Sequence, residues 1–160
     1  MPDSDATATA VSSEDLAAVA RVDLFEGLPD KVFERLRVDG QRHSYGPGDA
    51  VTREGDEVGG LRPFSREGTL FHVVLGGSGE VSRGGRVLGR VGPGDYFGEL
   101  SLIDGGPRTA DVVAGPDGMT TFALTKWTFN DLLLAQPEVA VPMLRVLAGR
   151  LRRCEAARDA

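Results

Sequence analysis

Residues 97–110 place a carboxylate and an arginine close to several glycines. Gly98 allows a close backbone approach, and residues 100–103 are predicted to form one helical turn. A short helix that begins after a glycine presents unsatisfied backbone amides, which form a ready anion site. Arg108 adds a planar fork of donors that matches two phosphate oxygens, while Glu99 is an acceptor when ionised and so requires hydroxyl donors. The segment therefore suits a ligand with one phosphate and a free hydroxyl, which is the chemistry of a ribose cyclic phosphate.

The region that must hold this segment, residues 42–125, consists of short apolar runs separated by glycine-bearing turns. The 22 glycines of the 160-residue chain favour many tight turns. The turn sequence Gly-Pro-Gly-Asp occurs twice, at residues 46–49 and 92–95, each time before a short apolar or aromatic stretch. Short strands at this spacing predict an antiparallel sandwich, barrel or roll.

Helices are predicted on both sides of this region. Residues 12–38 contain two of them, and Ser12 or Ser13 is the expected N-cap of the first. Residues 126–157 contain two more, because apolar residues recur there at intervals of three or four. The elements that position residues 97–110 are therefore expected to be strands with helices at either end.

Composition and charge restrict the classes of protein. Residues 1–11 are acidic and rich in small residues and are predicted to be a disordered tail, with a single domain over residues 12–160. The formal net charge of −6 argues against non-specific nucleic-acid binding. Cys154 is the only cysteine, which excludes an intrachain disulfide and a cysteine-rich zinc site. No apolar run approaches the ~20 residues of a membrane span, and the N-terminus lacks the features of a secretory signal, so a cytoplasmic location without a membrane partner is predicted.

The segment resembles the phosphate-binding cassette of the cyclic-nucleotide-binding domain family, in which an F-G-E-[LI]-[AS]-L stretch is followed by R-[STA]-A. Every position of this pattern is filled, by Phe97, Gly98, Glu99, Leu100, Ser101, Leu102, Arg108, Thr109 and Ala110. Both Gly-Pro-Gly-Asp turns and the sequence Arg-Glu-Gly-Asp at residues 53–56 also resemble family elements. The resemblance implies a mainly β fold, an antiparallel, jelly-roll-like β-roll of about eight strands flanked by N- and C-terminal α-helices.

The resemblance also implies a role for each part of the cassette. Glu99 would accept a hydrogen bond from the ribose 2′-hydroxyl, and Arg108 would pair with the cyclic phosphate. The amides of Leu100, Ser101 and Ala110 would complete the phosphate cradle, with a hydroxyl from Ser101 or Thr109. The favoured ligand is cAMP. In some members a hydroxyl after the arginine contacts the purine and favours guanine, so Thr109 keeps cGMP open as the alternative. No cofactor is expected.

In the family the last helix covers the base as a lid and often forms a dimer seam. Leu147 and Leu151 are the candidates for this base cap, with simple core packing as the alternative for the same apolar stripe. The basic residues Arg150, Arg152 and Arg153 are interpreted as a solvated helix end that is favourable to the helix dipole.

The function predicted from these residues is that of a cyclic-nucleotide sensor rather than an enzyme. The sensor is expected to be stand-alone, because the chain ends about where the family's long C-terminal helix ends and leaves no helix-turn-helix, kinase or channel segment. The output would pass through the C-terminal helix to an unknown effector protein, with homodimerisation through that helix left open. A long loop at residues 57–68 could cover the pocket or contact a partner.

Two other readings of the sequence stay open. One is an interaction module of the same fold that no longer binds ligand. The other is a cupin-type metalloenzyme, which needs about three imidazole or carboxylate ligands on one ion. His43 and His72 are the only histidines, and neither belongs to a His-x-His pair, which disfavours the metalloenzyme.

Overall fold

The computed structural model describes residues 7–22, 25, 27–55 and 70–159, apart from the side chains of Leu102 and Trp127. Helices precede and follow a β region, as predicted. In chain order the elements are β1 (Thr7–Thr9), α1 (Ser13–Ala20), α2 (Asp30–Asp39), β2 (Gln41–Tyr45), β3 (Ala50–Thr52), β4 (Leu70–Arg83), β5 (Arg86–Val91), β6 (Tyr96–Phe97), α3 (Glu99–Asp104), β7 (Asp111–Thr125), α4 (Lys126–Ala135), a 3₁₀ turn (Pro137–Val139) and α5 (Ala140–Asp159).

The strands form one antiparallel sheet in the order β1-β2-β7-β4-β5, with β3 paired to β7 and β6 paired to β4. β4 and β7 are the long members, with 14 and 15 residues. They pair from Leu70 opposite Thr125 to Ser82 opposite Asp111, and they hold the shorter strands on either side. The predicted antiparallel β-roll with flanking helices is confirmed.

β4 and β7 bend where glycines let their backbones approach. Their register shifts between Val74 and Gly76 and again between Gly77 and Gly79. Gly77 has a φ of +70°, and a Cβ there would lie 2.1 Å from the carbonyl oxygen of Gly118, so a larger residue does not fit. The sequence predicts turns between separate strands at these glycines, but the chain continues through them as bent strands. The described residues contain seven strands, within the predicted roll of about eight.

The helices cover one end of the roll and share its larger core. α1 begins after Ser12, whose hydroxyl accepts from the Asp15 N–H while the Asp15 carboxylate accepts from the Ser12 N–H. This capping box confirms Ser12 as the N-cap. Phe129 of α4 stacks on Phe71 of β4, with ring centroids 5.0 Å apart. The buried side chains of this core are Val19, Val22, Phe25, Val32, Leu36, Phe71, Val73, Tyr96, Phe122, Leu124, Phe129, Leu132, Val139 and Met143; burial of such a side chain contributes about 1.5–3 kcal/mol.

The N-terminal segment differs from its prediction. Thr7–Thr9 forms the edge strand β1, with Thr7 opposite Ser44 of β2, so the prediction of a disordered tail over residues 1–11 is wrong for these three positions. Cross-strand pairing with a distant part of the chain stabilises a segment whose own composition favours disorder. Residues 1–6 and the whole 57–68 loop lie outside the described residues.

The C-terminal helices follow the predicted range closely. Pro142 is the third residue of α5, in the first helical turn, where an N–H would have no intrahelical acceptor, and α5 therefore tolerates it. No single helix in the described part of the chain is long and apolar enough to cross a membrane. Thr128–Ala135 and Pro137–Asp159 reach that length and composition only as a pair, and they meet at 102°.

Candidate functional site

Strand β6 and Gly98 position helix α3 at the wall of the roll. Phe97 pairs with His72 of β4, and Gly98 then takes a left-handed conformation with φ +91° as the N-cap of α3. A Cβ on Gly98 would lie 2.7 Å from the Leu70 carbonyl oxygen and 2.8 Å from a guanidinium nitrogen of Arg108. Backbone conformation and close packing thus both require glycine at this position.

Hydrogen bonds close the loop between α3 and Arg108. The buried Ser101 hydroxyl donates to the Pro107 carbonyl oxygen at 3.1 Å, and the Gly105 N–H donates to the Ser101 carbonyl oxygen at 3.0 Å. The Gly106 N–H donates to the Asp104 carboxylate at 2.8 Å. The Ser101 hydroxyl therefore shapes the loop that leads to Arg108.

Arg108 is a buried cation, 4% exposed. Two of its guanidinium nitrogens donate to backbone carbonyl oxygens, at 3.1 Å to Gly98 and 2.8 Å to Leu70. These two bonds fix the plane of the guanidinium against the start of α3 and the start of β4. A fixed, desolvated cation of this kind is suited to bind an anion strongly.

The backbone that follows Arg108 is held by hydrogen bonds to three successive carbonyl oxygens. The Gly55 N–H donates to the Arg108 carbonyl at 2.8 Å. The Thr109 carbonyl accepts from Arg83 Nε at 2.7 Å. The carbonyl of the next residue accepts from the Thr52 hydroxyl at 3.1 Å. Residues 108–110 are therefore anchored to the β4–β5 hairpin and to the region of β3.

A cavity of about 210 Å³ lies between the cassette and the roll. The structure brings all eight predicted ligand-binding residues to its wall: Phe97, Gly98, Glu99, Leu100, Ser101, Arg108, Thr109 and Ala110. Six residues that were not predicted also line it: Thr52, Val81, Val91, Tyr96, Val112 and Arg150. The cavity therefore combines an apolar wall from the strands with a buried cation and a buried carboxylate from the cassette.

The buried carboxylate is Glu99, which is 2% exposed. The guanidinium of Arg150, from α5, forms an ion pair and hydrogen bond with it, and the Arg150 Cζ lies 5.8 Å from the centroid of the Tyr96 ring. The interpretation of Arg150 as part of a solvated helix end misses this contact: 43% of its side chain is exposed, but its guanidinium pairs with a buried carboxylate. Arg152 and Arg153 are exposed, as that interpretation expects.

The two leucines predicted to cap the base lie away from the cavity. Leu147 is half-buried against the main hydrophobic core, and Leu151 is 60% exposed. Neither side chain contributes to the cavity wall, where α5 supplies Arg150 instead. The alternative of core packing describes Leu147, and a cap formed by either leucine would require α5 to move.

A buried polar cluster lies directly behind the cassette. His72 stacks on Phe97, with ring centroids 4.8 Å apart, and its Nδ1 is 2.9 Å from the Thr121 hydroxyl. Burial, the positive charge of Arg108 and the neighbouring His43 together hold the pKa of His72 well below its ordinary value. His72 is therefore neutral near pH 7.

His43 lies beside His72 in this cluster. Their rings meet edge to face, with centroids 6.3 Å apart. Within the residues that the structure describes, no three histidine, cysteine, aspartate or glutamate side chains are grouped so that they could hold a metal ion.

The chain belongs to the cyclic nucleotide-binding domain family, whose model matches residues 42–136. It is similar to the CRP-like cAMP-activated global transcriptional regulator of Mycobacterium tuberculosis, with 31% identity over 144 residues, which cover 84% of this chain and 58% of that protein. It is also similar to the cGMP-dependent protein kinase of Toxoplasma gondii. The two are 27% identical over 136 residues, and this match covers 85% of this chain and 12% of the kinase.

The fold agrees with this assignment. The crystal structure of the Thermus thermophilus catabolite activator protein matches with a TM-score of 0.71 and 33% identity, covering 86% of this chain and 62% of that one. The chain thus spans less than two thirds of each of these three proteins. The part of the chain that the family model matches, residues 42–136, lies within the region that it shares with proteins of this kind.

Proposed function

We propose that the chain senses a cyclic nucleotide, with cAMP as its preferred ligand, through the cavity beside the cassette. The observation that carries this proposal is that the buried Arg108 cation and the buried Glu99 carboxylate lie in the wall of one cavity, beside six more residues of the cassette. A cation that faces a phosphate and a carboxylate that faces a hydroxyl match the two ends of a ribose cyclic phosphate.

Six cassette residues have a proposed part in binding. Arg108 pairs with the cyclic phosphate, and Glu99 accepts from the ribose 2′-hydroxyl. The cradle is completed by the amides of Leu100, Ser101 and Ala110, with a hydroxyl from Thr109. Because the Ser101 hydroxyl already donates to the Pro107 carbonyl, its part is to shape the loop rather than to donate to the ligand.

The base is the less determined part of the ligand. Thr109 is exposed at the cavity, where its hydroxyl can reach a purine. One relative is named for activation by cAMP and another for dependence on cGMP. We favour cAMP, and cGMP is the competing ligand that the experiment below includes.

The output of the sensor is proposed to be a change at α5. This helix carries Arg150, which lies in the cavity wall, and the exposed apolar side chains Val141, Leu144 and Leu151. An effector protein or a second copy of the chain could recognise that face once α5 moves. A non-enzymatic, regulatory role in the cytoplasm, without a cofactor, remains part of the same proposal.

The experiment is isothermal titration of the purified chain with cAMP, cGMP and 5′-AMP. The proposal expects saturable one-to-one binding of cAMP, weaker binding of cGMP, and little binding of 5′-AMP, which shares the base and ribose but has an open phosphate. Absence of heat with all three ligands, together with an unchanged melting temperature at millimolar nucleotide, would instead support an interaction module that does not bind ligand.

A further inference from the structure

Glu99 is a buried carboxylate whose charged partner lies on α5. An ionised carboxylate with almost no solvent contact requires a charged or hydrogen-bonding partner. Its partner in the structure is Arg150, which lies 51 positions further along the chain and on a different element. The arginine therefore neutralises the same carboxylate that is proposed to accept from the ribose.

Arg150 also separates the cassette cavity from a second depression. That depression, of about 290 Å³, is lined by Arg90, Val91, Gly94, Asp95, Tyr96, Val146 and Arg150. Val91, Tyr96 and Arg150 line both spaces. The Arg150 side chain, held over the Tyr96 ring by its bond to Glu99, thus forms part of the partition between them.

The contact lies where α5 leaves the body of the protein. Met143 is buried, and Val146 and Leu147 are half-buried against the core, whereas every described residue of α5 after Arg150 is exposed. The bond between Arg150 and Glu99 therefore lies at the point along α5 after which all described residues are exposed. Local opening is easiest where few buried contacts hold an element.

We propose that Arg150 is a further residue of the nucleotide site, one that competes with the ribose 2′-hydroxyl for Glu99. This inference rests on the proposed function and adds the contact that links the ligand to α5. A nucleotide that engages Glu99 displaces the guanidinium, which opens the partition beside Tyr96 and frees the end of α5. Affinity is correspondingly reduced by the cost of separating Arg150 from Glu99.

The test is the affinity of wild type and Arg150→Gln for cAMP and for 2′-deoxy-cAMP. With Arg150 replaced, Glu99 lacks its charged partner, and a ribose hydroxyl gains more by donating to it. We expect the variant to bind cAMP at least about 5-fold more tightly than wild type, the lower end of typical coupling between two ligands. We expect no comparable gain for 2′-deoxy-cAMP, which lacks the competing hydroxyl.

Two further variants control for charge and folding. Arg152→Gln removes the same charge from an exposed position on the same helix and should leave both affinities unchanged. Arg150→Lys keeps the charge without the planar fork and should show a smaller gain than Arg150→Gln. Circular dichroism and the melting temperature verify that each variant is folded.

The results that would contradict this inference differ from those that would contradict the proposed function. If Arg150→Gln weakens cAMP binding, or changes the two affinities equally, Arg150 does not compete with the hydroxyl and the inference fails while the proposed function stands. If neither nucleotide binds to wild type or to any variant, the proposed function fails and takes this inference with it.

Discussion

Arg83 Nε donates a hydrogen bond to the Thr109 carbonyl oxygen at 2.7 Å, which ties the β4–β5 hairpin to the backbone immediately after Arg108. A second bond supports the same hairpin, because the Gly84 N–H donates to the Glu54 carboxylate at 2.8 Å. The position of the cassette is thus set partly by a charged side chain on a hairpin outside it.

Replacement of Arg83 should therefore weaken nucleotide binding although Arg83 does not line the cavity. We expect Arg83→Ala to lower cAMP affinity by about 5-fold, because a partly solvated charge-assisted hydrogen bond contributes about 1 kcal/mol. The control is Arg86→Ala, since Arg86 lies opposite Arg83 in the same hairpin. Titration calorimetry checks both variants, and equal effects of the two substitutions would show that hairpin charge, rather than the bond to Thr109, is responsible.

The requirement for glycine at position 98 can be separated into strain and crowding. Gly98 and Gly94 both have a φ of +91°, but a Cβ on Gly94 meets no atom within 4 Å. Gly94→Ala should therefore cost only the strain of a left-handed alanine, about 1–2 kcal/mol. Gly98→Ala should cost about 1–3 kcal/mol more, because its Cβ also meets Leu70 and Arg108.

Chemical denaturation measures this difference directly. The same Gly98→Ala variant should lose cAMP affinity, since relief of the contact displaces the Arg108 guanidinium, while Gly94→Ala should keep it. Equal free energies of unfolding for the two variants would show that the close approach at Gly98 is relaxed at no cost.

The buried His72 makes stability depend on pH. Its pKa is lowered in the folded state by burial, by Arg108 and by His43, so below about pH 6.5 the unfolded chain binds a proton that the folded chain does not. Stability is then fully present above that pH and decreases as the pH falls towards the lowered pKa. The slope is at most about 1.4 kcal/mol per pH unit for one proton.

His72→Gln should remove this contribution, because glutamine does not titrate and can still bond to the Thr121 hydroxyl. Urea denaturation of both proteins from about pH 7.5 to about pH 5.5 isolates it from carboxylate titration. Parallel pH profiles for wild type and variant would mean that His72 takes up its proton equally in both states.

The sequence predicts the cassette well because the cassette is local. Gly98, Glu99 and Arg108 lie within a dozen positions, so their spacing alone indicates that they can meet. Arg150 is not predicted, because its contact with Glu99 joins elements 51 positions apart and a basic run at a helix end is usually solvated. The buried state of Glu99 is what would have indicated the need for such a partner, and burial is known only from the fold.

The same holds for the fold: features formed by neighbouring residues are predicted, and features that depend on pairing with distant residues are not. The N-cap at Ser12 is one of the two predicted positions, since a cap and its partner lie within one helical turn. Strand Thr7–Thr9 is missed, because it depends on pairing with β2. At Gly77 the sequence predicts a turn, whereas the pairing with β7 supplies enough support for β4 to bend and continue.

The measurement that tests the account most directly is calorimetric titration of cAMP into wild type and Arg108→Ala. The account predicts one-to-one binding to wild type and a loss of about 2–5 kcal/mol in the variant, which is at least about 30-fold in affinity. Arg108→Lys, which keeps the charge without the fork, should lie between them. A folded Arg108→Ala protein that binds cAMP as tightly as wild type would contradict the assignment of the phosphate to this cavity.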